Sequence, residues 1–129
     1  MPDIDFIDLQ YGDTEEEKKY FYDEYGIEIK TIDEIDNFND IDGLSSLIDA
    51  CDFVITSSNI TAHLSGALGK KTFLLIPYSV GKIWYWHENR NKSLWYPSVN
   101  IYRQESNKSW NFSIENVITD VKDHYGRKN

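Results

Sequence analysis

Five residues able to hold an anion crowd into one short stretch: Ser57, Ser58, Asn59, Thr61 and His63. They follow an apolar run, Phe53-Val54-Ile55-Thr56, and they open a segment in which Ile60, Leu64, Ala67 and Leu68 share one helical face. A strand that turns into a helix leaves the first helical N–H groups without intrahelical acceptors, and the helix dipole adds partial positive charge there. A phosphate fits such a place with no side chain at all. The hydroxyl and amide groups of Ser57, Ser58, Asn59 and Thr61 would add neutral hydrogen bonds, and His63, one turn in, a further donor. The plainer alternative is that these residues only cap a helix and His63 is structural. Composition alone favours that alternative.

Other chemistry has thinner support. Glu15-Glu16-Glu17 offers carboxylates suited to a ribose hydroxyl, but acidic residues are ordinary in a first helical turn. The chain has no G-x-G-x-x-G and no G-x-x-x-x-G-K-[ST]. His63, His87 and His124 lie far apart, and no Cys/His cluster has metal-ligand spacing, so no metal and no cofactor are expected. No Ser/His/Asp order is persuasive, and no catalytic residue is assigned. Gly66, mid-helix, costs roughly 1 kcal/mol against alanine, which signals close packing of that helix on its sheet.

The elements that must position these residues follow from periodicity and punctuation. Phe6–Leu9 reads as a strand leaving through Tyr11-Gly12-Asp13. Thr14 and Glu17 form a capping box for a helix running to Tyr25, with Phe21 and Tyr25 on its apolar stripe and Gly26 as its stop. Ile27–Ile32 alternates like a short strand, and the acidic Asp33–Asp42 reads as a loop. Leu44, Leu47, Ile48 and Cys51 mark the next helix. Phe53–Thr56 and Thr72–Ile76 are apolar enough for strands covered on both faces. Residues 78–98 read as a long aromatic loop with room for a short helix, Val99–Arg103 as the last strand. Ile114, Val117, Ile118, Val121 and Tyr125 line the final helix. Alternation of this kind implies a parallel sheet with helices on both faces, in one domain over residues 1–129.

The totals narrow the class. The chain has 129 residues, one cysteine and a formal net charge of -9. Residues 1–52 hold 17 of the 22 acids and 3 of the 13 bases, so the first part stands at -14 and the rest at +5. That balance disfavours nucleic acid as a partner. No apolar run approaches the ~20 residues of a membrane span, and Met1–Asp5 carries no secretory pattern. Cys51 alone cannot form an internal disulfide, so a cytoplasmic location is expected. The Asn-x-Ser/Thr matches at Asn59, Asn91, Asn107 and Asn111 are then chance. Trp84, Trp86, Trp95 and Trp110 concentrate more apolar surface than an unpacked loop would carry.

The stretch Val54-Ile55-Thr56-Ser57-Ser58-Asn59-Ile60-Thr61-Ala62-His63-Leu64-Ser65-Gly66-Ala67-Leu68-Gly69-Lys70-Lys71 resembles the C-terminal lobe of GT-B glycosyltransferases of the heptosyltransferase-like kind, glycosyltransferase family 9. The likeness is greatest to the lobe that ends bacterial tetratricopeptide-repeat proteins. Phe6-Ile7-Asp8-Leu9-Gln10-Tyr11-Gly12, Asp40-Ile41-Asp42, Leu74-Leu75-Ile76-Pro77, Trp84, Ser93-Leu94-Trp95-Tyr96-Pro97-Ser98, Arg103-Gln104 and Trp110 extend it in order over about residues 4–125. The resemblance implies a Rossmann-like three-layer α/β/α fold with a mainly parallel sheet, lacking the lobe's first strand. It also implies a nucleotide-diphosphate sugar as ligand. The Asn59 and Ile60 backbone, with Ser58 and the His63 side chain, would face the diphosphate. Gln10, Tyr11 and Gly12 would border the nucleotide, and Glu16 or Glu17 would reach its ribose. This reverses the preference for a purely structural His63.

Three departures shape the expectation. Ser58-Asn59-Ile60 stands where many members have Asp-Thr-Ser or Asp-Thr-Gly. The first strand and its helix, with a basic phosphate contact, have no counterpart. The acceptor lobe and its general base are missing too. The expected function is therefore donor binding without transfer by the chain alone, its partner being the missing N-terminal lobe or a second copy. The alternative is a non-catalytic interaction module associating through the aromatic segment or an exposed sheet edge.

Overall fold

The elements fall in the predicted order and type, but the helix over Ile60–Ala67 does not bury its predicted apolar face: Ile60 and Leu68 are 49% and 43% exposed, and Thr61, Ala62, Ser65 and Gly66 are buried instead. The computed structural model describes residues 4–78, 86 and 91–126. Along it run β1 (Phe6–Ile7), α1 (Glu15–Tyr25), β2 (Ile29–Lys30), α2 (Ile41–Ala50), β3 (Val54–Ser57), α3 (Ile60–Ala67), β4 (Thr72–Ile76), β5 (Val99–Arg103) and α4 (Asn111–Tyr125). The expected loop at residues 78–98 lies largely outside the described residues. Every pairing between these strands is parallel, as the alternation required. The chain divides into two compact units, Met1–Leu47 and Ile48–Asn129, the boundary falling within α2.

In the first unit β1 pairs with β2, Phe6 opposite Ile29 and Ile7 opposite Lys30. The expected capping box does not form. Thr14 makes no side-chain cap, because its hydroxyl donates to the Asp8 carboxylate instead, and Asp13 Oδ1 accepts from the Glu15 amide at 3.0 Å. The far end of α1 is as predicted. Gly26 takes φ +65, a left-handed conformation that glycine adopts without a side-chain penalty, and its N–H returns to the helix carbonyls. The Phe21–Tyr25 stripe does not become core, since α1 has no buried residue. Asn37 donates to the carbonyls of Asp8 and Gln10 at 3.2 and 3.1 Å, tying down the exit from β1.

The acidic stretch after β2 is only partly loop. Asp40 Oδ1 accepts from the Gly43 amide at 2.8 Å, so α2 starts at Ile41, three residues ahead of its first apolar marker, Leu44. A β-carbon on Gly43 would meet that same carboxylate at 2.2 Å. Leu44, Leu47 and Ile48 are buried along one face of α2, as their spacing predicts.

The second unit is a sheet of order β3-β4-β5. Successive strand side chains point to opposite faces. One face carries Leu74, Val99 and Ile101, which pack with Ala62 of α3 and with Trp86. Thr72 Oγ1 meets Ser65 Oγ at 2.9 Å on that face, so the buried hydroxyls satisfy each other. The other face carries Phe73 and Tyr102, rings 6.0 Å apart. Tyr102 donates to Asp120 of α4, and Phe53 packs edge-on against Phe73 while stacking on Tyr125 of α4 at 4.7 Å. Helices thus lie on both faces of the sheet. Central β4 is covered as expected, with Thr72, Phe73 and Leu74 fully buried. β3 is not, because it stands at one end of this order; Ile55 is 46% exposed.

Candidate functional site

β3 delivers the chain to a turn that is at the surface. Ser57, Asn59 and Ile60 are exposed and Ser58 is half-buried. Asn59 is the N-cap of α3, with extended backbone, and its Oδ1 accepts from the Ala62 amide at 3.2 Å and from the Thr56 hydroxyl at 3.1 Å. The cap therefore uses the third amide of the helix. Those of Ile60 and Thr61 are the ones helix geometry leaves without intrahelical acceptors. They head α3 at the carboxyl end of a parallel strand, where ligands of open α/β sheets bind.

His63, one turn further, sits in an aromatic frame. Its Nδ1 lies 3.2 Å from the Tyr96 hydroxyl, and its ring lies 5.0 Å from that of Trp86, tilted by 32°. Trp86 is 2% exposed and donates its indole N–H to Ser58 Oγ at 2.9 Å. The same indole thus touches both the turn and the imidazole. Arg103 Nη2 donates to the Trp86 carbonyl at 3.2 Å. Tyr96 is fixed from behind: buried Ser93 accepts from the amides of Trp95 and Tyr96, each at 3.1 Å, and the Tyr96 carbonyl accepts from the Val99 amide at 3.0 Å.

Gly66 explains how Tyr96 comes so close. A β-carbon there would lie 2.5 Å from Tyr96 Cγ and 2.9 Å from Tyr96 Cβ. The mid-helix glycine was expected to pack on the sheet; it packs under the tyrosine ring instead. Tyr96 and Trp86 were not among the expected site residues, and Gly66 was the signal that could have exposed the first of them.

The structure brings together Ser58, Asn59, Ile60 and His63 of the second unit. Gln10, Tyr11, Gly12 and Glu16 belong to the first. There Gln10 donates its amide to Asp8 Oδ1 at 2.8 Å, and exposed Tyr11 rests against Phe38 with ring centres 5.3 Å apart. Gly12 has φ +93, which favours glycine, and Glu16 is exposed. A hollow of about 500 Å³ in the second unit lies away from the turn, lined by Asn100, Tyr102, Phe112, Asn116 and Asp120 among others. Among the described residues no group of three His, Cys, Asp or Glu could hold a metal ion. No described helix is long and apolar enough to cross a membrane.

Parallel strands, right down to the turn that ends β3, and helices on both faces of its sheet make this a Rossmann-like α/β protein. Over 126 residues it is 36% identical to Protein FlbA of Caulobacter vibrioides, a match covering 95% of this chain and 20% of that protein. The chain thus spans about a fifth of the length of the curated relative it matches. No protein-family model and no solved structure matches it.

Proposed function

We propose that the chain is the donor-binding lobe of a glycosyltransferase, holding the diphosphate of a nucleotide sugar at the start of α3. The observation that carries this reading is the surface turn Ser57-Ser58-Asn59 at the head of α3, with His63 one turn behind in an aromatic frame. The bound oxygens would take hydrogen bonds from the Ile60 and Thr61 amides and from Ser58, Asn59 and His63, in the partial positive field of the helix terminus. On this reading the chain's part in transfer is to stabilise the leaving phosphates. A cytoplasmic location belongs to the same reading. Titration calorimetry with UDP, ADP and GDP tests it: binding by one of them, weakened in Asn59→Ala and His63→Ala, is expected, and no heat at millimolar ligand would overturn it.

A second reading has its own observation. Leu94 and Trp95 are 56% and 53% exposed, large apolar groups in the segment expected to pack against a missing lobe or a second copy. An interaction module would lose self-association or lobe binding on Trp95→Ala and would ignore nucleotides.

A further inference from the structure

Three observations converge on Tyr96. Its hydroxyl is 3.2 Å from His63 Nδ1. Its backbone is held by Ser93 and Val99. Its ring occupies the space that a β-carbon on Gly66 would fill. A mid-helix glycine costs roughly 1 kcal/mol relative to alanine, and here the missing methyl admits the ring whose hydroxyl reaches the imidazole one turn back. The contact is therefore built by three separate parts of the second unit: α3, the Ser93–Tyr96 turn and the start of β5.

Which nitrogen of a neutral imidazole carries the proton is set by the hydrogen bond the other makes. The phenol is an acid and the imidazole a base near neutrality, so the stronger alignment is O–H donating to Nδ1. That leaves the proton on Nε2. We infer that Tyr96 is the positioning residue of this site: it donates to His63 Nδ1, fixes the ring against Trp86, and keeps Nε2 in the donor form that an anionic oxygen requires. Gly66 is the residue that makes this contact sterically possible. The Nε2–H donor serves a diphosphate only on the reading proposed above, whereas the tautomer and its dependence on Tyr96 stand apart from it.

The test is the nitrogen spectrum of the His63 ring in the 129-residue chain, recorded at mildly alkaline pH. The expected result is a dominant Nε2–H tautomer in the native protein and a mixed population in Tyr96→Phe, which keeps the ring and loses the hydroxyl. Gly66→Ala should do the same by displacing the ring. If that variant fails to fold, Tyr96→Phe carries the test alone. A native Nδ1–H tautomer, or a signature unchanged in Tyr96→Phe, overturns the inference. UDP, ADP and GDP added in turn to the same samples separate the two claims. Binding of one of them, weakened about fivefold in Tyr96→Phe, the worth of one orienting hydrogen bond, agrees with both. An Nε2–H tautomer with no binding of UDP, ADP or GDP upholds the role of Tyr96 and removes the donor-lobe reading.

Discussion

Trp86 and Ser58 are joined by a 2.9 Å hydrogen bond from the indole N–H to the serine hydroxyl, linking the hydrophobic core of the second unit directly to the turn that precedes α3. Ser58→Ala leaves a buried indole N–H without this acceptor, a loss of about 1–3 kcal/mol. Urea unfolding should report it as a lower midpoint at constant slope. Replacing Trp86 by Phe removes the buried donor and keeps an aromatic ring in the core, so it should cost less than Trp86→Ala, whose cavity adds to the loss.

Gly66→Ala sets two effects against each other. Helix propensity favours alanine by roughly 1 kcal/mol, whereas forcing a methyl into a packed site costs about 1–3 kcal/mol. The obstructing atoms are Tyr96 Cγ, Cδ2 and Cβ, near the backbone and not at a flexible tip, so packing should win. Net destabilisation of about 1 kcal/mol is expected in urea unfolding. A stabilised Gly66→Ala would show that Tyr96 does not rest on α3.

Alkaline pH should loosen the second unit through Tyr102. Burial, and then its hydrogen bond to Asp120, hold this phenol well above the usual tyrosine range. Its folded pKa is raised, so its contribution is complete below the unfolded value of about 10 and is lost as pH rises beyond it. Thermal melts from pH 8 to 11 should fall more steeply for the native protein than for Tyr102→Phe. Parallel curves would contradict this.

How far the sequence was legible depended on distance along the chain. The elements came through because apolar spacing is local, and so did the stop at Gly26, whose left-handed backbone a glycine announces. Thr14 misled because the competing acceptor, Asp8, lies six residues upstream and outside any capping pattern. Asp40 looked like loop because its cap over Gly43 comes before Leu44, the first marker of the apolar stripe of α2. The run Phe53-Val54-Ile55 reads like a fully covered strand, but coverage depends on neighbouring strands, which local pattern does not specify. At the site, Asn59 was readable as a cap, while the His63–Tyr96 contact joins residues 33 apart. Only Gly66 hinted that something lay over that helix.

Gly26→Ala should isolate the first unit. The left-handed position penalises a β-carbon by about 1 kcal/mol, and nothing lies within 4 Å of the added atom, so strain and not collision is what it measures. Faster hydrogen exchange is expected at the C-terminal amides of α1, with the amides of β4 unchanged.

The donor-lobe account turns on whether the surface turn ahead of His63 receives a diphosphate. Amide chemical shifts followed during titration with UDP, ADP and GDP test this most directly. The account predicts saturable shifts concentrated at residues 57–63 with one of the three nucleotides. Unmoved resonances there at millimolar nucleotide, or shifts confined to the hollow around Tyr102 and Asp120, would contradict it.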